Sequence, residues 1–106
     1  MGHSGVQALV KQVKLEWSPL ALADLDRFAA FLEGKFPSLA LRIGKTLIEK
    51  SEQLRDHPNL GQPVGGNTAY RQLTLHALRA TYVLQYEIHP DRIVILRVFH
   101  GRESRG

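Results

Sequence analysis

Arg92-Ile93-Val94-Ile95-Leu96-Arg97-Val98-Phe99-His100-Gly101-Arg102-Glu103 is the stretch that decides the fold. It is almost unbroken in its apolar character and β-branched at four positions, Ile93, Val94, Ile95 and Val98. A run of this kind reads as a strand buried on both faces, at the centre of a sheet. It then breaks into His100, Gly101 and Arg102, where a strand leaves its partners and side chains meet solvent. The rest of the chain reads as a frame that presents this strand end.

Working back from it, residues Ala80 to His89 and Tyr70 to His76 read as two further strands. His89-Pro90-Asp91-Arg92 places Pro and Asp where a tight turn favours them. Tyr82, Leu84, Tyr86 and Ile88 share one face of the middle strand, and Val83, Gln85 and Glu87 the other. The segment 56–67 is rich in Pro, Gly and Asn and reads as one long loop without regular structure. Its Gly65-Gly66 pair is followed by a strand, whereas a phosphate-cradling loop needs a helix there.

Upstream, Val13 to Trp17 alternates apolar and charged residues, the period of a strand with one face on a core. Ser18-Pro19 marks a helix start, with Ser as N-cap and Pro at the first helical position. Leu22, Leu25, Phe28, Ala29, Leu32 and Phe36 follow as its apolar stripe, with Asp24 and Asp26 assigned to the solvated side. Gly34 to Pro37 break this helix, and Ser38 caps a second that runs from Leu39 to Arg55. Gly44 inside it costs about 1 kcal/mol against Ala, which reads as close approach of the first helix.

The predicted class is therefore α+β. An N-terminal strand and an antiparallel helical hairpin precede a three-stranded antiparallel meander that completes one curled sheet. Residues 13–106 form the single domain, and 1–12 read as a cloning remnant (Met1 to Gly5) and lead-in.

Composition narrows the functions. The 106 residues suit one domain, and 43% hydrophobic content with 23% charge suits a globular chain. With no cysteine, disulfides, thiolate metal sites and Cys nucleophiles are excluded. No apolar run approaches a membrane span, and no signal peptide is visible. The five histidines show no metal-ligand spacing, so neither metal nor cofactor is expected. The net charge of +4 is uneven: eight basic against seven acidic residues before Tyr70, but six arginines against three acids from there on. Arginine suits bidentate phosphate or carboxylate contacts, which points to an anionic partner.

The chemistry-bearing side chains collect on the strands: Tyr70, Arg71, His76, Arg79, Tyr82, Tyr86, Arg97, His100, Arg102 and Arg105. Arg with Tyr and His on one sheet fits RNA, by phosphate contact and base stacking. An imidazole beside Arg also fits acid–base work on a ribose 2′-OH. The plainer alternative makes Tyr82 and Tyr86 core-edge aromatics and pairs Arg97 with Glu87 on the neighbouring strand.

Four segments resemble the RelE/ParE toxins of bacterial type II toxin–antitoxin systems. They are Leu15 to Leu25, His57-Pro58-Asn59-Leu60-Gly61, Tyr70-Arg71-Gln72-Leu73, and Ile95 to Arg102. The resemblance implies a cytoplasmic toxin neutralised by a cognate antitoxin, as a homodimer or a toxin–antitoxin hetero-oligomer. RelE-like members cut mRNA on the ribosome without a metal, and ParE-like members poison DNA gyrase. In the RNA-cutting branch the middle strand commonly begins Tyr-Arg-Leu-Val-Tyr; here the segment is Tyr82-Val83-Leu84-Gln85-Tyr86, with Val83 in place of that Arg. The likeness therefore leans to the ParE branch and a gyrase inhibitor involved in plasmid stabilisation. Arg71, Tyr82, Tyr86, Arg97, His100 and Arg102 are then the target- or partner-binding residues. The alternatives are a ribosome-dependent endoribonuclease using His100, Arg97 and Arg71, and a non-toxic binding module.

Overall fold

The computed structural model describes residues 13–102. The lead-in 1–12 and Arg105 lie outside the described residues. The elements in chain order are β1 (Lys14–Trp17), α1 (Pro19–Glu33), α2 (Pro37–Ala40), α3 (Ile43–Ser51), two 3-10 turns (Glu52–Arg55 and Pro58–Leu60), β2 (Gln62–Val64), β3 (Asn67–Ala77), β4 (Ala80–Ile88) and β5 (Arg92–His100). They build one five-stranded sheet in the order β1-β5-β4-β3-β2. β1 runs parallel to β5, and all other pairs are antiparallel. The α+β class, the helical hairpin and the β3-β4-β5 meander agree with the sequence reading.

The helices cover one face of the sheet. Ala21, Leu25 and Phe28 of α1 and Ile43 and Leu47 of α3 join Leu75, Tyr82, Leu84, Tyr86, Ile93, Ile95 and Val98 in one core. Each fully buried aliphatic side chain there contributes about 1.5–3 kcal/mol. β5 is central but is not buried on both faces. Ile93, Ile95 and Val98 are buried, while Val94, Leu96, Arg97 and Phe99 are partly open. The reason is a β-bulge: Tyr86 pairs with Ile95 but Gln85 pairs with Arg97, leaving Leu96 as the extra residue. Strict alternation from Ile93 and Ile95 would drive Arg97 into the core. The bulge shifts the phase by one residue and puts Val98 there instead.

Beyond Ile95, β1 has ended and the outer edge of β5 has no strand partner. α1 closes that edge with side chains. Ser18 caps the helix by accepting the Ala21 N–H at 3.1 Å, and its hydroxyl donates to the Leu96 carbonyl at 2.9 Å. The Asp24 carboxylate accepts the Val98 N–H at 2.8 Å. Asp24 is thus 3% exposed, a correction to its placement on the solvated side. Edge N–H and C=O groups left dry would each be costly, so these two residues substitute for a missing strand.

The second helix is also corrected. The predicted continuous Leu39–Arg55 segment breaks at Leu41 and Arg42, and Ser38 lies inside α2 rather than capping it. The break leaves Leu41 87% exposed and rephases the chain so that Ile43, Leu47, Ser51 and Leu54 are all buried. Gly44 is not forced by packing, since a methyl there would stand 4.0 Å from Leu25 Cδ1. The 56–67 segment is not wholly irregular either. Gly65 and Gly66, at φ 62° and 78°, make a two-residue turn that folds β2 back on β3. Pro63 is tolerated because β2 is an edge strand.

The β3–β4 connection is a second two-residue turn with both central residues at positive φ, Leu78 at 49° and Arg79 at 67°. Here no glycine relieves the left-handed conformation, which costs about 1–2 kcal/mol per residue. Arg79→Gly is expected to raise stability by about 1 kcal/mol in urea denaturation.

Candidate functional site

Cross-strand register divides the strand residues between two faces. Arg71 opposes Tyr86, Leu75 opposes Tyr82, and Tyr82 opposes His100, all on the helix-covered side. Tyr70, Gln72, Thr74 and His76 oppose Glu87, Gln85, Val83 and Thr81 on the other side, with Arg97 and Phe99 beyond. Among the described residues no helix packs on that second face. The six candidate residues therefore do not share one surface.

Tyr86 is fully buried. Its hydroxyl donates to the Pro58 carbonyl at 2.7 Å and accepts the Gly61 N–H at 2.9 Å. Burial pushes its pKa up, against smaller lowering effects from the Gly61 N–H and the Arg71 charge. Arg71 serves the same segment: Nε donates to the Thr68 carbonyl at 2.7 Å and Nη1 to the Gly61 carbonyl at 2.8 Å. Both residues pin the chain between the second 3-10 turn and β2; the Tyr86 hydroxyl is committed on both its donor and acceptor sides, and Arg71 is committed through Nε and Nη1.

Tyr82 is 2% exposed and lies between Phe28 and His100, with each ring centroid 5.3 Å away. Burial raises its pKa as well. The His100 ring meets Tyr82 edge-on at 80°, and its Nδ1 accepts the Arg102 N–H at 3.2 Å. That bond fixes the orientation of the ring at the end of β5. Arg102 itself is exposed.

Arg97 is an ion-paired residue, but its acid is Asp24 and not Glu87. Nε and Nη2 reach the two carboxylate oxygens at 2.8 and 2.9 Å, a bidentate arrangement. Arg27 adds a contact to the same carboxylate at 3.1 Å. Glu87 pairs with His89 at 3.2 Å. Burial alone would raise the Asp24 pKa; the hydrogen bonds from Arg97, the Val98 N–H and Arg27 outweigh it and hold the carboxyl below its usual range. Asp24 is the residue that the sequence reading missed. The signal was spacing: it lies three residues after Ala21 and four before Phe28, on the buried stripe itself.

The open face holds a short polar chain. Tyr70 Oη donates to Gln85 Oε1 at 3.2 Å, and Gln85 Nε2 to Gln72 Oε1 at 3.5 Å. Beside it stands Val83, 5% exposed and outside the main core, between Thr74 and Phe99. At the end of the sheet the β3–β4 turn bounds a hollow of about 310 Å³ lined by His76, Leu78, Arg79 and Thr81. His76 Nδ1 lies 3.3 Å from Thr81 Oγ1. Gly101 donates its N–H to the Thr81 carbonyl at 2.7 Å, an approach that leaves a Cβ only 3.0 Å from that oxygen. Among the described residues no group of three or more His, Asp or Glu could hold a metal ion, and no helix is long and apolar enough to cross a membrane.

Comparison with known proteins bears on this arrangement. Residues 15–105 match the family described as the ParE toxin of the type II toxin–antitoxin system parDE. The chain belongs to the ParE toxin family. Within the RelE/ParE superfamily it is 35% identical over 91 residues to Toxin RelE3 of Caulobacter vibrioides, covering 86% of this chain and 97% of that one. Toxin RelE1 of the same organism is 28% identical over 85 residues, covering 80% and 89%. The fold matches a chain of the chromosomal ParDE system of P. aeruginosa with a TM-score of 0.70 at 25% identity, covering 84% of this chain and 96% of that one. As a type II toxin of this superfamily, the protein pairs with a cognate antitoxin.

Proposed function

We propose that this ParE-family toxin acts in the cytoplasm on DNA gyrase through protein contact rather than by cutting RNA. The observation that carries the reading is how the sheet spends its polar groups. RNA cleavage needs a phosphate clamp and an acid–base pair converging on one open position. Arg71 is held by the Gly61 and Thr68 carbonyls, Arg97 by Asp24, and Tyr86 is buried. Val83 stands at the middle of the open face. His100 lies on the opposite face from Arg97.

The second reading, a ribosome-dependent endoribonuclease, draws on the RelE names of the Caulobacter relatives and on the oriented His100 imidazole. Induced expression in bacteria separates the two. Gyrase poisoning predicts DNA breaks, an SOS response and filamentation while translation continues, and inhibition of supercoiling by purified toxin. Rapid translation arrest with cuts in mRNA would overturn it in favour of the ribonuclease. Unaffected growth would overturn both.

A further inference from the structure

The sheet contains two hairpin turns with both central residues at positive φ, and it fills them differently. Gly65-Gly66 adopts the left-handed region without steric cost, whereas Leu78-Arg79 does not. Leu78 has a structural return, because it is half-buried and packs against the core. Arg79 has none: it is exposed, and its side chain makes no hydrogen bond or ion pair with any described residue. Glycine would relax this position, so the guanidinium is what the turn retains at the expense of strain.

Other protonatable or cationic groups stand around it. His76, exposed on β3, is oriented through Nδ1 by Thr81. Arg102 follows Gly101, which is bonded to the Thr81 carbonyl, and no salt bridge among the described residues reaches Arg102 or Arg79. These groups come from the turn, from β3 and from the end of β5. His76 and Arg79 line the hollow beside the turn, and Arg102 follows at the end of β5, so all three lie at one end of the sheet. A row of phosphates suits cations spaced along it. The chain's net charge of +4 adds long-range attraction of the same sign.

We propose that this end of the sheet binds the phosphate backbone of duplex DNA, with Arg79 as the principal contact and Arg102 and His76 beside it. The proposal deepens the gyrase reading and rests on it for its biological setting, since a toxin acting on gyrase works beside duplex DNA.

Its test uses the purified full chain and a fluorescein-labelled duplex without gyrase, followed by anisotropy. Wild-type toxin should bind with a log–log salt slope of about −2 to −3, the signature of two or three phosphate contacts. Arg79→Gly should weaken binding at least about fivefold at low salt, and with Arg102→Gln more than about tenfold. The same Arg79→Gly variant should melt about 5 °C higher, so lost binding cannot be lost folding. Lys45→Gln with Lys50→Gln removes two charges from α3 and should leave binding within about twofold. Absence of duplex binding by the wild type, equal binding by the Arg79 variants, or tighter binding of a polyglutamate peptide than of the duplex would each overturn the proposal. Supercoiling inhibition is scored separately. Inhibition without DNA binding defeats this inference and leaves the gyrase reading standing; DNA binding without inhibition does the reverse.

Discussion

Gly61→Ala is expected to destabilise the protein by about 3 kcal/mol and to lower its melting midpoint by about 15 °C. The backbone there is ordinary, with φ −79°, so the requirement is for space and not for conformation. An added Cβ would stand 2.7 Å from the Gln72 carbonyl oxygen, 2.8 Å from the Tyr86 hydroxyl and 2.9 Å from Tyr86 Cε1. One of these atoms is backbone in the sheet. The other two belong to a fully buried ring whose hydroxyl is fixed at both its donor and acceptor sides. Moving the ring would strand the Gly61 N–H and the Pro58 carbonyl. Tyr86→Phe should cost less, about 1–2 kcal/mol, because the ring stays and only its bonds go. Urea unfolding followed by circular dichroism gives both values. A Gly61→Ala protein as stable as its parent would refute this account of the segment.

Asp24→Ala should cost about 2–3 kcal/mol. Part of the loss is the stranded Val98 N–H, and part is the bidentate bond to Arg97. Arg97 is 37% exposed at its side chain, so water screens the charge attraction and the figure stays below that of a fully buried pair. Asp24→Asn keeps an acceptor for Val98 and should cost roughly half as much. The pH dependence follows from the depressed carboxyl. Its folded pKa lies below the ordinary 3.8, so its contribution is complete at neutral pH. It begins to fall as pH approaches 3.8 and is lost as pH drops through the lower folded value. The parent should therefore lose stability more steeply than Asp24→Asn between about pH 5 and pH 2. Parallel urea midpoints for the two proteins across that range would remove Asp24 from this role.

The elements that repeat a short period were legible in the sequence. Ser18-Pro19, the alternation of Lys14 to Trp17 and the stripe of Tyr82, Leu84 and Tyr86 each depend on neighbours a few residues away, and each is found in place. What was not legible depends on long-range registration. The bulge at Leu96 is invisible in β5 taken alone, because only pairing with Gln85 and Tyr86 reveals the extra residue. Asp24 looked like an ordinary helix acid, because the sequence does not announce that β5 has an open edge seventy residues later. Arg71 and Tyr86 looked like surface chemistry for a similar reason: the carbonyls they bind belong to the 57–68 segment, whose path no periodicity describes.

The parallel pairing of β1 with β5 also sets an order of events during synthesis. β1, Ser18 and Asp24 are made early, yet their partners, residues 92–98, come 73 to 78 positions later. Contacts of such separation form late, after the local hairpins. A nascent chain lacking β5 has helices without a sheet edge to close and a first strand without a neighbour. The toxin fold is thus closed only when β5 has been made.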